Sequence, residues 1–365
     1  MTDPHSFGLF LNTNHGVPGI VVLTAAGFER AKAAITAWPG YAPTPLIDLP
    51  AQEVAALRLK NEGPRFGLGS FKALGGAYAV EKLVAAESAR GNTTVTVTCA
   101  TDGNHGRSVA WGARRRGCRC VIFVHETVSQ GRIDAIAAHG AQVIRVSGNY
   151  DDSVREADRQ ARENGWFVVS DTSYPGYTEV PRDVMQGYRL MADEAADQWT
   201  GPPPTHVFIQ AGVGGAAAAV SVQMRARFSP APRLVVVEPE AAACLYESAR
   251  AAEPTVVGGA LETIMAGLAC GEPSLLAWQE LERAAFAFMT IPDAAAADTL
   301  RGLAAQGIEI GESGVAGLAA FRLVINNPDA CSRLELNRDS CIVVFGTEGV
   351  TDRVIYERIR STAVS

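Results

Sequence analysis

Between residues 95 and 169 the chain alternates between two hydrophobic periods. Short continuous apolar runs at 95–100, 121–124, 143–146 and 166–169 read as buried strands, and the stretches between them, 106–117, 130–139 and 151–164, carry the helical period. Strands separated by helix-length segments pair in parallel with crossover helices. The region therefore predicts a small α/β unit of roughly 100 residues.

A second alternation starts after Thr200-Gly-Pro-Pro-Pro, a run that breaks regular structure. It predicts a strand at 206–210, a helix at 215–228, a strand at 234–238, helices near 241–251, 274–288 and 313–326, a strand at 341–345 and a last helix from 350. Ahead of the small unit, Ala77, Val80, Leu83 and Val84 recur at helical spacing over 75–90, and Gly91-Asn92 ends that helix. A longer helix is read at 181–199, and 51–61 fits either a helix or a strand. Residues 1–50 are rich in turn formers, with Pro43-Thr-Pro-Leu-Ile as an extended arm expected to complete the second sheet.

The whole chain of 365 residues is long for one core, so two lobes are expected. The fold class is α/β, with two open, twisted, parallel-type sheets and flanking helices. The net charge of -7 argues against nucleic-acid and anionic-membrane partners. Arg114, Arg115 and Arg116 form one dense basic run, placed where it would cap a helix dipole. Seven scattered cysteines give no metal spacing, and free thiols in a reducing cytoplasm are expected. Neither a leader-type N-terminus nor an apolar run of membrane-spanning length is read.

The candidate chemistry lies at strand ends. In Ser70-Phe-Lys-Ala-Leu-Gly-Gly-Ala, Lys72 could be a desolvated amine of lowered pKa or a solvated residue near a helix start. Ala100-Thr-Asp-Gly-Asn-His-Gly joins a strand to a helix, where free N–H groups suit a carboxylate or phosphate, although Asp-Gly-Asn is also ordinary turn and cap chemistry. Gln210-Ala-Gly-Val-Gly-Gly-Ala suits an anion in the same way. With Glu238 ending the next strand, it also fits a dinucleotide fingerprint, which would imply an NAD-dependent oxidoreductase. Phe345-Gly-Thr-Glu-Gly-Val-Thr-Asp and Gly311-Glu-Ser-Gly are further turns of the same kind.

Taken together and in this order, these stretches resemble the fold type II pyridoxal-phosphate enzymes, the tryptophan synthase β and threonine dehydratase group. Within it they are similar to the diaminopropionate ammonia-lyases. Asp171-Thr-Ser-Tyr-Pro-Gly-Tyr-Thr, Met185-Gln-Gly-Tyr, Val237-Glu-Pro-Glu and Met265-Ala-Gly-Leu-Ala-Cys-Gly-Glu-Pro-Ser extend the resemblance over most of the chain.

The resemblance implies a large lobe, residues 1–78 and 185–365, with a small lobe, 79–184, inserted in it. It implies pyridoxal 5'-phosphate held by Phe71, Lys72, Asn104, Gly212, Val213, Gly214, Gly215 and Thr347, with Lys72 forming the Schiff base. Thr101, Gly103 and His105 would lie along the carboxylate of a small amino-acid substrate, Asp102 would lie beside it and could attract its distal amine, Asp171 is a second candidate for that amine, and no metal is implied. The implied reaction removes ammonia from 2,3-diaminopropionate, giving pyruvate and two ammonia, with Lys72 as base for the L isomer and Asp102 for the D isomer. Asp102 stands where dehydratases usually carry a small or hydroxyl residue, which separates this reading from a serine or threonine dehydratase. A cytoplasmic homodimer is also implied.

Overall fold

The computed structural model describes residues 6–362, so the Met1–His5 segment read above for a leader lies outside the described residues. In chain order the elements are β1 (Gly8–Leu11), α1 (Ala25–Thr36), β2 (Leu46–Asp48), β3 (Ala56–Asn61), α2 (Lys72–Ala89), β4 (Thr96–Ala100), α3 (Asn104–Arg116), β5 (Arg119–His125), α4 (Gln130–Ala137), β6 (Gln142–Val146), α5 (Tyr150–Asn164) and β7 (Phe167–Val168). They continue with α6 (Glu179–Gln198), β8 (His206–Gln210), α7 (Gly215–Arg227), β9 (Arg233–Pro239), α8 (Cys244–Ala251), α9 (Leu275–Ala284), β10 (Ala285–Ile291), α10 (Asp293–Ala304), α11 (Ala316–Ile325), α12 (Pro328–Leu334), β11 (Cys341–Gly346) and α13 (Arg353–Ser361).

These strands form two sheets. The smaller has the order β6-β5-β4-β7 and is parallel throughout. The larger has the order β1-β10-β9-β8-β11-β3-β2, parallel in its centre with antiparallel edges at β1 and β2. Strands β8 and β11 are buried along their whole length, as expected of parallel strands covered by helices on both faces. Two apolar clusters fill the layers on either side of the large sheet, one around Leu74, Met185 and Val220, the other around Leu59, Leu300 and Phe321.

Several expectations change. The segment read as a helix over 274–288 ends at Ala284, and Ala285–Ile291 is the strand β10. Its Ala287, Phe288 and Met289 are wholly buried, and the continuous apolar run that hid the boundary is what a strand between β9 and β1 requires. The segment 51–61 resolves as the strand β3, paired with β11. The N-terminal part supplies both edge strands and the unforeseen helix α1, which opens with Thr24 accepting from the Gly27 amide.

The paired glycines after Lys72 set how closely the helices pack. A Cβ on Gly75 would lie 2.3 Å from the Tyr188 ring, and one on Gly187 would lie 2.3 Å from the Leu74 carbonyl, so α2 and α6 cross with their backbones nearly in contact. This crossing holds the first turn of α2 against the centre of the molecule. Arg114, Arg115 and Arg116 occupy the last turn of α3 as expected, with the Arg115 guanidinium stacked over Trp38 and Trp111.

Candidate active site

One cleft collects the turns singled out above. It is lined by Phe71, Lys72, Thr101, Asp102, Gly103, Asn104, His105, Asp171, Gly212, Val213, Gly214, Gly215 and Thr347, so every candidate residue reaches the same space. The cleft lies at the carboxyl ends of β4, β8 and β11, where crossover topology leaves a crevice.

Lys72 is the first residue of α2. Its carbonyl accepts from the Ser108 hydroxyl at 2.6 Å, which ties the lysine to α3, and its amine faces the rings of Phe71 and Tyr188. The amine also forms an ion pair with the Asp171 carboxylate. Burial alone would lower the lysine pKa, as expected from the sequence, but the carboxylate reverses the effect and holds the amine protonated above its ordinary value. Asp171 responds in the opposite sense. Burial pushes its carboxyl up, and Lys72, followed by His105, pulls it below the usual carboxylate range.

The 101–106 turn is built by Thr101. Its hydroxyl oxygen accepts from the Gly103 and Gly106 amides, both at 3.0 Å, which curls the chain into α3. Gly103 has φ 151°, and an added Cβ would press to 3.2 Å from the Arg132 side chain. His105 gives Nε2 to the Val169 carbonyl at 2.7 Å, while its buried Nδ1 makes no hydrogen bond among the described residues. Burial holds this imidazole below its ordinary pKa and therefore neutral at pH 7. With Nε2 as the donor, Nδ1 is an acceptor and suits an amine better than a carboxylate. The Gly106 amide, in the first turn of α3, is already taken by the Thr101 hydroxyl.

Asp102 projects from the same turn. Its Oδ1 lies 2.8 Å from His125 Nε2 at the end of β5, and its carbonyl accepts from Arg132 at 3.3 Å. Asn104 donates to Oε2 of the buried Glu348, whose Oε1 accepts from the Ser313 amide. Thr347 Oγ1 accepts from Gln210 Nε2 at 2.7 Å, which leaves its own proton free to donate into the cleft. A Cβ on the neighbouring Gly346 would fall 2.9 Å from Ile310, which is not part of the cleft lining.

The fourth wall is the glycine loop between β8 and α7. The amides of Gly212, Val213 and Gly214 make no backbone hydrogen bond among the described residues, and Gly214 adopts φ 97° to begin the helix. A Cβ on Gly212 would stand 2.9 Å from Cys270 Sγ, which accounts for that cysteine as the outer wall of the loop. Burial pushes the Cys270 thiol up to about 12, so it stays protonated. Amides without partners at a helix N-terminus, a lysine opposite, and a hydroxyl donor beyond fit a phosphorylated ring aldehyde. They fit a dinucleotide poorly, because Glu238 spends both carboxylate oxygens on the Leu245 and Tyr246 amides of α8 and offers none to a ribose.

Sequence reasoning missed several lining residues. Arg132 and Tyr150 lie in the first turns of helices after β5 and β6, and Tyr188, inside α6, belongs to the Met185-Gln-Gly-Tyr stretch but carries no role there. Gln210 and Glu348 lay within flagged stretches but were given no role; their signal is position at a strand's carboxyl end. All seven cysteines are free, and no cluster of metal-ligating side chains occurs among the described residues. Nor is any described helix long and apolar enough to cross a membrane.

Comparison with known proteins agrees with this geometry. The family model for pyridoxal-phosphate dependent enzymes matches residues 37–347. Diaminopropionate ammonia-lyase of Escherichia coli (strain K12) is 40% identical over 348 residues, covering 88% of this chain and 87% of that protein. The crystal structure of holo diaminopropionate ammonia lyase from Escherichia coli superposes with a TM-score of 0.92 at 36% identity, covering 98% of this chain and 97% of that one. The same enzyme in complex with an aminoacrylate–PLP azomethine reaction intermediate gives 0.90 at 36% identity, with the same coverage. The chain therefore belongs to the pyridoxal-phosphate-dependent enzymes and, within them, to the diaminopropionate ammonia-lyases.

Proposed function

We propose that this chain eliminates ammonia from 2,3-diaminopropionate, of L and D configuration, to give pyruvate and two ammonia. The observation that carries the reading is the presence on one cleft of Lys72 and two carboxylates, Asp102 and Asp171. A dehydratase acting on a neutral β-hydroxyl would have no ammonium for these carboxylates to meet.

Pyridoxal 5'-phosphate supplies an electron sink that makes the substrate Cα proton removable. Its phosphate would be held by the free amides of the 212–215 loop, its ring hydroxyl by Asn104 and its pyridine nitrogen by the Thr347 hydroxyl, beside Phe71. A neutral hydroxyl there limits how much charge the ring stores, which favours elimination over transamination.

Six positions work on the substrate itself. Thr101 and Gly103 shape the turn whose following amides take the carboxylate, and His105 Nδ1 offers an acceptor to an amine. Lys72 removes the Cα proton of the L isomer and Asp102 that of the D isomer, each as a positioned general base. Asp171 releases its ion pair when Lys72 is engaged elsewhere and receives the distal ammonium, so the leaving group is charged and oriented before it departs. Residues 1–78 and 185–365 act as the large lobe and 79–184 as the small one, in a cytoplasmic homodimer like that implied by the family resemblance.

A coupled pyruvate assay against L- and D-diaminopropionate, serine and threonine tests the assignment. Turnover of both diaminopropionate isomers above the hydroxy amino acids is expected. A preference for serine or threonine would overturn it.

A further inference from the structure

His125 has no part in the reaction as described so far, yet among the described residues it is the one side chain hydrogen-bonded to the Asp102 carboxylate. It closes β5, on the strand next to β4, from which the Asp102 turn departs. Its Nε2 lies 2.8 Å from Asp102 Oδ1 and its Nδ1 lies 2.9 Å from the Thr127 hydroxyl. With the Thr127 hydroxyl donating to Nδ1, the imidazole presents Nε2–H to the carboxylate, and both ring nitrogens are satisfied. The ring is further fixed edge-on to Tyr150, at 6.5 Å between centroids.

The carboxylate is thereby divided. Oδ1 is occupied by His125, whereas Oδ2 makes no hydrogen bond to any described residue and belongs to a side chain that lines the cleft. The backbone of Asp102 is pinned separately, through its carbonyl, by Arg132. Backbone and side chain thus have independent anchors. A carboxylate on a surface turn samples several χ1 and χ2 states, and a base that must meet one proton on one face loses rate in proportion to the time spent elsewhere. Holding one oxygen leaves the other as the single reactive atom in a fixed direction.

We propose that His125 is a positioning residue for the D-specific half of the reaction, orienting Asp102 so that Oδ2 faces the substrate Cα on the side opposite Lys72. The inference rests on the assignment of Asp102 as the D-isomer base. It also predicts asymmetry: Lys72 is held by α2, α3 and Asp171 and owes nothing to His125, so the L isomer should not register its loss.

The test uses holoenzyme and three variants, His125→Leu, His125→Gln and Asp102→Asn, each assayed with both isomers. For His125→Leu the expected result is a fall in kcat on the D isomer of about 10- to 100-fold, with KM changed less than about threefold and L turnover within about twofold. His125→Gln, whose amide can still donate to Oδ1, should recover most of the D turnover. An equal loss on both isomers would show a merely structural histidine and overturn the proposal. Unchanged D turnover in His125→Leu, beside its loss in Asp102→Asn, would overturn the positioning role alone. Intact D turnover in Asp102→Asn would overturn the underlying base assignment instead. If His125→Leu does not fold, 1H–15N spectra of the wild-type holoenzyme decide the matter. A protected imidazole Nε2–H signal that disappears in Asp102→Ala, which removes the acceptor, supports the pairing, and a signal indifferent to that substitution refutes it.

Discussion

Two charged clusters lie within ten residues of each other in the sequence and behave oppositely. The first surrounds Arg65, whose guanidinium meets Glu62 and Glu194 through four hydrogen bonds of 2.7–2.8 Å. Lys60 adds a contact to Glu194 at 2.8 Å and to the Thr44 carbonyl at 2.6 Å, and Tyr41 donates to Glu194 at 3.1 Å. Arg65, Lys60 and Glu62 are essentially unexposed, and the charged atoms of this cluster are paired. The second cluster, around Lys72, is left incomplete: among the described residues His105 Nδ1 is buried without a partner, Asp102 Oδ2 accepts no hydrogen bond, and the amides of Gly212 and Gly214 donate to no backbone carbonyl. A closed network fixes structure, joining β3 to α6 and to the arm before β2. An open one that converges on a single cleft is a candidate site, because a ligand there can meet several unsatisfied groups at once.

The sharpest way to break the comparison is to remove one residue from each cluster. Lys72→Ala should abolish turnover of both isomers, by at least about a thousandfold, and remove the visible absorbance of covalently held cofactor, while the thermal midpoint falls little. Arg65→Met should do the reverse. Stranding Glu62 and Glu194 costs on the order of 3–5 kcal/mol, read as a lower denaturation midpoint with kcat of the folded fraction preserved. If Arg65→Met instead lost kcat at unchanged stability, the division between the clusters would be wrong.

A smaller effect sharpens the cofactor side. Gly214→Ala forces a side chain into φ 97° and places a Cβ 3.0 Å from Ala277. Strain of about 1–2 kcal/mol should weaken pyridoxal-phosphate affinity about tenfold in equilibrium dialysis, with kcat at saturation nearly unchanged. The smallest effect is a pH dependence. Burial pushes the Glu194 carboxyl up, but Arg65 and then Lys60 more than offset this and hold it below its ordinary value. The stability it contributes is therefore present above the ordinary glutamate range, about pH 4.3, and is lost as pH falls through its lower folded value. Acid unfolding of Glu194→Gln should be less steep than that of the wild type.

The small sheet and the strand–turn–helix joints were legible because parallel strands are continuous apolar runs and their turns carry glycine and small polar residues. The boundary between α9 and β10 was not legible, since Ala284 passes into Ala285 and Phe286 with no turn residue between them. Helix α1, whose Phe28, Ala31 and Ile35 recur at helical spacing behind a capping threonine, was overlooked because the segments on either side of it are rich in turn formers. Within the site, Lys72 and the glycine loop could be read locally. The Asp171 partnership that reverses the expected pKa of Lys72 could not, because 99 residues separate the pair and only the assembled fold joins them. His125 was invisible for the same reason, since nothing in its own sequence neighbourhood points to Asp102.

The central claim is that one cleft carries two bases of opposite facial reach. Initial rates of pyruvate formation by Asp102→Asn holoenzyme with D- and with L-diaminopropionate test it most directly. The account predicts a loss of about a hundredfold or more on the D isomer and a change of no more than a few-fold on the L isomer. D turnover equal to wild type, or an equal loss on both isomers, would contradict it.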